Sequence, residues 1–198
     1  MKTLSVLVTV GSDHHPFDRL IGWVDEWLAQ RHGKDVSCVL QHGTARPPRH
    51  GIPYGYLPHD ELQQLLGAAD VVVTQGGPMG IIESYRRGVK PIAVPRRTTL
   101  GEVVDDHQVD FCRHMASSDK LVLAEDAAAL HTALDAAVSD PGTFRVEPGA
   151  LAGEVDETVR RFDLLASALP PRRGLFSLTP RRRPATHPDL VTRDRMSA

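Results

Sequence analysis

The amino-acid sequence predicts an α/β protein built on a parallel sheet of about six strands, with helices on both faces. The first observation is alternation: short runs rich in valine and isoleucine are separated by longer stretches with apolar residues at three- and four-residue spacing. Such alternation implies right-handed crossovers between parallel strands. The second observation is that some runs, such as the three valines at 71–73, are continuously apolar. Continuous apolar runs are typical of parallel strands buried on both faces.

In chain order, six segments have the composition of strands and five have the periodicity of helices. The predicted strands are LSVLVTV (4–10), DVSCVLQ (35–41), IPYGYL (52–57), ADVVVTQ (69–75), KPIAVP (90–95) and KLVLA (120–124). The predicted helices are residues 17–33, 59–69, 80–88, 103–117 and 125–140. A last amphipathic segment, residues 153–169, is predicted to pack back over the sheet.

Length and charge distribution indicate one globular domain followed by a tail. We expect residues 1–150 to form the domain, residues 151–169 a helix packed on it, and residues 170–198 a disordered Pro/Arg-rich tail. The tail has seven arginines and two aspartates, a net charge of +5, so the net charge of −2 for the whole chain leaves −7 for residues 1–169. A basic tail also suits an anionic lipid surface or an acidic partner.

The cysteines and the apolar runs indicate a cytoplasmic protein. Cys38 and Cys112 lie far apart and show no metal-ligand spacing, so we expect two free thiols. The opening MKTLSVLVTVGSD ends in a Gly-Ser-Asp turn and is therefore predicted to be the first strand rather than a signal peptide. No stretch approaches the roughly 18 apolar residues of a membrane span, so we expect a soluble chain that can still work at a membrane surface.

Open parallel sheets bind ligands at the carboxyl ends of their strands, which directs attention to the turn after the first strand. Gly11 permits a sharp exit there, and Ser12 offers a hydroxyl and an N–H near the start of a helix, an arrangement suited to phosphate. The alternative is a plain turn with a helix cap, and the G-x-G-x-x-G dinucleotide pattern is not present. His14 and His15 are either solvated turn residues or neighbours of a phosphate or sugar hydroxyl. We expect the two rings to point in different directions and not to chelate one metal.

The turn after the fourth strand, TQGGPMGIIE (74–83), has a composition that a simple connection would not need. Gly76 and Gly77 remove side chains, so that another group can approach the backbone. Pro78 suits the first turn of a helix, whose positive end would face the gap. Glu83 lies about one turn further, where it is better placed to accept hydrogen bonds from a diol such as that of ribose. Phosphate at the helix end and a diol on the carboxylate together indicate a nucleotide.

A third element follows the fifth strand, where Asp106, His107 and Gln108 begin a predicted helix. One interpretation is that Asp105 or Asp106 caps this helix. The adjoining histidine and glutamine add a donor and an acceptor at the same cleft, and that pair suits sugar hydroxyls better than a cap.

In this order, the three elements resemble the C-terminal, donor-binding domain of glycosyltransferase family 28, over residues 3–140. The family pattern THAGxGTxxExxxxGxPxIxVPR, followed by DxHQ, corresponds here to TQGGPMGIIESYRRGVKPIAVPR and DDHQ. The chain length resembles the small catalytic subunits of two-component enzymes, in bacterial exopolysaccharide synthesis and in the dolichol-linked N-acetylglucosaminyltransferase. The positions in register are Gly77, Glu83, Gly88, Pro95, Arg96, His107 and Gln108, and Pro91 stands one position after the proline of the pattern.

Three departures from the family pattern bear on the site. Gln75 replaces the family's histidine and resembles the exopolysaccharide branch, whereas Met79 replaces its second glycine. Gly80 replaces a serine or threonine that helps to bind phosphate in the family. A backbone N–H at Gly80 can still serve, although the hydroxyl is lost.

The resemblance implies a Rossmann-like fold, one half of the GT-B architecture, and inverting, metal-independent transfer of a sugar from a UDP-sugar to a lipid-linked polyprenyl diphosphate acceptor. A membrane-anchored partner subunit would hold the acceptor and recruit this chain to the inner face of the cell membrane. We expect no cofactor, no metal and no nucleic-acid partner. The candidate donor-binding residues are Gly11, Ser12, Gln75, Gly76, Gly77, Met79, Gly80, Glu83, Arg96, Asp106, His107 and Gln108, and the candidate catalytic residues are His14 and His15.

Two alternatives stay open from the sequence. The chain could be a non-catalytic nucleotide-sugar-binding or regulatory subunit, which the changes at Met79 and Gly80 favour. It could also be an enzyme like the UDP-sugar 2-epimerases, which share the fold but need acid and base residues from two domains.

Overall fold

A six-stranded parallel sheet forms the centre of the molecule, in a computed structural model that describes residues 3–31 and 36–148. The predicted α/β class, the six strands and the five helices are confirmed. The strands are β1 (Leu4–Thr9), β2 (Val36–Gln41), β3 (Ile52–Tyr54), β4 (Val71–Gln75), β5 (Ile92–Val94) and β6 (Val122–Leu123). The helices are α1 (Asp18–Ala29), α2 (His59–Ala68), α3 (Pro78–Arg86), α4 (His107–Ser117) and α5 (Ala127–Ser139), with 3-10 turns at Thr98–Leu100 and Pro141–Phe144.

The strand order is β3-β2-β1-β4-β5-β6, so the direction of sheet growth reverses between β1 and β4. Near the carboxyl ends of these two strands, Thr9 of β1 is in register with Thr74 of β4. The loops that follow β1 and β4 therefore leave the sheet side by side. This reversal is the place where open α/β sheets bind their ligands.

Side chains of the central strands alternate between apolar clusters on the two faces of the sheet. On β4, Val71 and Val73 join the cluster formed with α1 and α5, whereas Val72 joins the cluster formed with α2. A third cluster is built around α3 and α4, with Ile81 and Phe111 among its members. Burial on both faces explains why β4 is rich in valine without any alternation of polar residues.

Element ends differ from the prediction where proline or a loop intervenes. The segment 90–95 contributes only Ile92–Val94 to the sheet, because the flanking prolines have no N–H to donate to a ladder. Helix α3 begins at Pro78, because the missing N–H of proline costs nothing in a first turn. Helix α4 begins at His107 rather than at 103. The preceding loop is closed by a hydrogen bond from the Thr98 hydroxyl to the Asp106 carboxylate.

The predicted helix at 153–169 and the basic tail at 170–198 lie outside the described residues. Within the two described ranges, no helix combines the length and the apolar character needed to cross a membrane.

Both cysteines are buried free thiols, as the sequence predicts. Burial raises the pKa of Cys38 to about 12, and burial together with the nearby Glu125 raises that of Cys112 to about 12. Because the thiolate is the reactive form, we expect a disulfide reagent at pH 8 to modify the native protein roughly 100-fold more slowly than the protein in guanidinium chloride. Rates within tenfold of each other would show that the core opens locally.

Candidate functional site

A cleft of about 360 Å³ opens at the carboxyl ends of β1 and β4. This volume lies within the range of small-molecule binding sites, and we call the feature the switch-point cleft. Its lining residues are Thr9, Gly11, Ser12, Gln41, Tyr56, Leu57, His59, Leu62, Gln63, Leu66, Thr74, Gln75, Met79, Gly80 and Glu83. The two turns that the sequence analysis selected independently therefore meet in one cleft.

Two further cavities of about 310 and 350 Å³ lie beside α1. One is lined by residues such as Leu28 and Cys38, and the other by residues such as Trp27 and Asp135. Both reach Arg31, which precedes residues 32–35, a segment outside the described ranges. Neither contains a predicted site residue, so the switch-point cleft is the candidate site.

The turn after β1 is held by hydrogen bonds to buried side chains. Gly11 has a φ of +76°, a conformation that favours glycine. Its N–H donates to the Thr9 hydroxyl at 3.2 Å, and its carbonyl accepts from Gln41 Nε2 at 3.2 Å. The Thr9 hydroxyl in turn donates to Gln41 Oε1. These bonds fix the backbone of the loop, and the exposed Ser12 lines the cleft beside it.

The start of α3 presents backbone donors that no side chain caps. Gly77 occupies the N-cap position in an extended conformation, without a side-chain cap hydrogen bond, and Pro78 follows it. The N–H groups of Met79 and Gly80 belong to the first turn, which has no partners within the helix. An uncapped helix end with its partial positive charge is suited to bind an anion.

The missing side chain of Gly80 leaves room for the hydroxyl group of Thr74. A Cβ at position 80 would overlap the Thr74 hydroxyl oxygen, so a serine or threonine, as in the family pattern, would require Thr74 to move. That hydroxyl is buried and has no hydrogen-bond partner among the described residues. Both residues line the cleft, so unused hydrogen-bonding capacity lies beside the uncapped helix end.

The two glycines after β4 have different surroundings. A Cβ at Gly76 would lie 2.8 Å from Cys112 Sγ and 3.0 Å from Gln108 Cβ, so this glycine permits close packing against α4. A Cβ at Gly77 would instead lie 2.9 Å from Gln75 Nε2, a cleft residue. The missing side chain of Gly76 thus makes room for α4, and that of Gly77 makes room for Gln75. Contact of either glycine with the donor stays a prediction.

Glu83 lines the cleft one turn beyond the start of α3. Its side chain is 19% exposed, and its Oε1 accepts a hydrogen bond from Arg86 Nη1 at 2.9 Å. The other carboxylate oxygen makes no hydrogen bond within the described residues and can accept one from a ligand.

Arg96 and Gln108 lie behind the cleft rather than in its wall. Arg96 is fully buried, and its Nε donates to Gln75 Oε1 at 2.9 Å. Gln108 Nε2 lies 3.5 Å from the same oxygen. Burial lowers the pKa of Arg96, against the effect of nearby carboxylates, yet the guanidinium stays charged at neutral pH. The prediction that Arg96 touches the donor is therefore corrected, because this side chain has no surface in the cleft.

Asp106 and His107 lie at the start of α4 and do not line the cleft. The Asp106 carboxylate accepts from the Thr98 N–H at 2.9 Å and from the Thr98 hydroxyl at 2.7 Å, which closes the loop between them. These hydrogen bonds lower the pKa of Asp106. Asp106 makes no capping bond, whereas Asp105 accepts from the His107 N–H at 3.2 Å. Contact of Asp106 or His107 with a sugar stays a prediction.

His14 and His15 occupy the loop after β1, outside the cleft lining. Contrary to expectation, their rings do not point apart, because the centroids lie 4.1 Å from each other. His15 Nδ1 lies 2.7 Å from Asp13 Oδ1. Partial burial opposes the shift, but hydrogen bonds from His15 hold the pKa of Asp13 below its usual range. The ligand atoms of these three residues lie within 4.8 Å of one another and could hold a metal ion, although hydrogen bonds inside the loop already account for their arrangement.

The lining of the cleft also includes residues that the sequence analysis did not select. Tyr56 and Leu57 follow β3, and Leu62 and Leu66 belong to α2. Tyr56 is 52% exposed, so much of its side chain is open to solvent. The signal was present in the sequence, because this turn also follows the carboxyl end of a strand and contains an aromatic residue.

Comparison with known proteins agrees with the fold and with the family resemblance. The family model of the glycosyltransferase family 28 C-terminal domain matches residues 5–147. Comparison with curated protein sequences gives no match. Among solved structures, the glycotransferase of kitacinnamycin is similar with a TM-score of 0.56 and 23% identity, over 85% of this chain and 44% of that one.

Two other solved structures resemble the chain at lower identity. MurG of Acinetobacter baumannii has a TM-score of 0.52 and 14% identity, over 84% of this chain and 50% of its own. ALG13 has a TM-score of 0.54 and 14% identity, over 79% of this chain and 94% of its own. At these identities the likeness shows the fold, and the chain spans half or less of the first two proteins. Because the family model covers residues 5–147, the chain belongs to the glycosyltransferase family 28 C-terminal domain family.

Proposed function

We propose that this chain is the donor-binding subunit of an inverting, metal-independent glycosyltransferase that moves a sugar from a UDP-sugar to a lipid-linked acceptor. The observation that carries the proposal is that an uncapped helix end, a partly buried carboxylate and an apolar wall meet in one cleft. Each of these three matches one part of a nucleoside diphosphate.

The diphosphate is assigned to the start of α3. The backbone N–H groups of Met79 and Gly80 and the helix dipole attract an anion there, at about 0.3–1 kcal/mol for each exposed contact. The loop at Gly11 and Ser12 leaves the neighbouring strand and approaches the same space. Two loops with little side-chain bulk can thus surround the phosphates.

The nucleoside is assigned to the rest of the cleft. The carboxylate oxygen of Glu83 that Arg86 does not engage can accept a hydrogen bond from a ribose hydroxyl. Leu57, Leu62 and Leu66 offer an apolar surface for a planar base, and Tyr56 borders it. This division keeps the negative carboxylate away from the phosphates.

In the transfer reaction, the acceptor hydroxyl attacks the anomeric carbon from the face opposite the leaving group, and UDP departs with the bonding electron pair. Negative charge then grows on the β-phosphate, where fixed backbone donors and a helix end stabilise it without reorganising. A general base must take the proton of the attacking hydroxyl.

The acceptor site is assigned to a membrane-anchored partner subunit. The donor would occupy the switch-point cleft, and the candidate bases His14 and His15 lie outside its lining. We therefore place the acceptor site on the partner. The general base is then a residue of the partner, or whichever of the two histidines reaches the acceptor. The net charge of +5 on residues 170–198 suits recruitment to an anionic membrane surface.

Glu83→Ala is expected to weaken UDP binding by about 10- to 100-fold, because a hydrogen bond to a charged group is lost. In a thermal-shift measurement, UDP at 100 times its dissociation constant should stabilise the unchanged protein by about 2.7 kcal/mol, a rise of roughly 5–10 °C. Glu61→Ala, on the exposed face of α2 and outside the cleft, is the matched control. UDP should raise its melting temperature by as much as it raises that of the unchanged protein. Equal binding by both variants would remove Glu83 from the site, and no shift of the unchanged protein with any nucleotide would end the proposal.

Transfer itself is tested by adding the purified chain to membranes of the source organism with a panel of labelled UDP-sugars. Label should enter the lipid extract in the presence of EDTA, and the Glu83→Ala variant should not support this transfer. Full transfer by that variant would favour the non-catalytic alternative. Epimerised sugar formed by the purified chain alone would favour the epimerase-like one.

A further inference from the structure

Gln75 lines the switch-point cleft, and the two ends of its side-chain amide have different surroundings. Its oxygen accepts a hydrogen bond from Arg96 Nε at 2.9 Å, and Gln108 Nε2 lies 3.5 Å from it. Its nitrogen lies between the two glycine-containing turns. A Cβ at Gly77 would lie 2.9 Å from this nitrogen, and a Cβ at Gly11 would overlap it.

Arg96 determines which way the amide faces. If the amide were reversed, its N–H groups would point at the Nε–H of Arg96, and two donors would oppose each other. The guanidinium cannot turn to accept, because arginine has no acceptor and does not lose its proton at neutral pH. The NH2 group of Gln75 must therefore face the gap between the turns.

Arg96 is itself rigidly placed. It is fully buried, and its plane lies over the Phe17 ring at 4.5 Å from the centroid. Its terminal nitrogens donate to the carbonyl oxygens of Val10, His15 and Glu102 at 2.8–2.9 Å. Two of these carbonyls, at Val10 and His15, belong to the segment that carries the first turn of the site. The same guanidinium thus fixes that turn and the Gln75 amide.

The NH2 group of Gln75 has no acceptor among residues 3–31 and 36–148. A primary amide nitrogen carries two N–H donors, and here both face a space that two backbones approach without side chains. The nearest element beyond Gly77 is the uncapped start of α3. An acceptor with several oxygen atoms would satisfy both groups together.

We propose that Gln75 Nε2 donates to the diphosphate of the bound nucleotide, and that Arg96 is the positioning residue that aims this amide. The inference rests on the proposed function and deepens it. Arg96 acts on the phosphates through a neutral amide rather than by an ion pair. This arrangement also explains how glutamine serves where the family pattern has histidine, since both side chains present an N–H.

Gln75→Glu tests the proposal with little change of shape. The new carboxylate can still accept from Arg96, but its second oxygen faces the diphosphate with negative charge. We expect the dissociation constant for UDP to rise at least 10- to 100-fold, as for loss of a hydrogen bond to a charged group. The dissociation constant for uridine, which has no phosphate, should stay within about twofold. Both are measured by calorimetry or ligand-observed NMR.

Gln63→Glu is the charge-matched comparison. Gln63 lines the same cleft and also accepts from an arginine, Arg87 Nη2 at 2.9 Å, but it belongs to α2. The rise in the dissociation constant for UDP caused by Gln63→Glu measures the effect of an added negative charge in the cleft. This rise should be at least tenfold smaller than the rise caused by Gln75→Glu.

Arg96→Lys tests the positioning role, because lysine keeps the charge but cannot hold the amide and three carbonyls together. It should weaken UDP binding and spare uridine binding. Equal losses for UDP and uridine in either variant would overturn the proposal, as would unchanged UDP binding by Gln75→Glu. Absence of UDP binding in the unchanged protein would instead end the proposed function, so the two failures are distinguishable.

Discussion

Glu102→Gln is expected to lower the free energy of unfolding by about 3–5 kcal/mol, the cost of breaking a buried ion pair from one side. Glu102 is 4% exposed and receives Arg19 Nε at 2.8 Å and Arg19 Nη2 at 2.7 Å. Arg19 is packed over the Trp23 ring, with its side chain only 15% exposed. A glutamine would turn an NH2 group towards these donors and leave the buried cation without its counter-ion.

The measurement is urea denaturation followed by fluorescence of the two tryptophans, with Glu125→Gln as the control. Glu125 pairs with Arg113 at 2.8 Å, but the two side chains are 34% and 57% exposed. Exposed pairs contribute about 0–1 kcal/mol, so the control should change little. If both variants lost the same stability, burial would not be what makes Glu102 important. Glu102 also closes the loop from Arg97 to Glu102, because its carboxylate accepts from the Arg97 N–H and its carbonyl oxygen accepts from Arg96. Equal losses would mean that other contacts hold this loop.

The class of the fold could be predicted because several independent patterns agree. The valines of β4 are continuous because both faces are covered, and the five helical segments repeat their apolar residues at the period of a helix. The order of the strands is a different matter. It depends on which strands pair, and the sequence of β1 does not indicate that β4 rather than β3 lies beside it.

The candidate site was predicted as far as residue type and strand position allow. Gly11 and Glu83 were selected because each follows a strand that ends at the binding edge of a parallel sheet. What the sequence could not give is the direction of a side chain. Arg96 falls within the family pattern, yet the structure turns it inward, where it binds carbonyl oxygens and Gln75. Gly76 likewise packs on α4, which begins more than thirty residues later.

Gly11→Ala is expected to weaken UDP binding by about 100-fold or more, because two effects act together. At a φ of +76°, any residue with a Cβ is strained by about 1–2 kcal/mol. The same Cβ would overlap the Gln75 amide nitrogen. Either the turn or the amide must move, and both belong to the proposed diphosphate site.

Gly101→Ala separates the two effects. Gly101 has a φ of +68° and nothing within 4 Å of the position where a Cβ would stand. Its substitution should cost the same backbone strain, about 1–2 kcal/mol, without touching the cleft. Denaturation should therefore show both variants destabilised, and calorimetry should show UDP binding lost only in Gly11→Ala. If Gly101→Ala lost UDP binding equally, strain that spreads through the structure would explain the loss, and the close approach of Gly11 to Gln75 would have no part in binding.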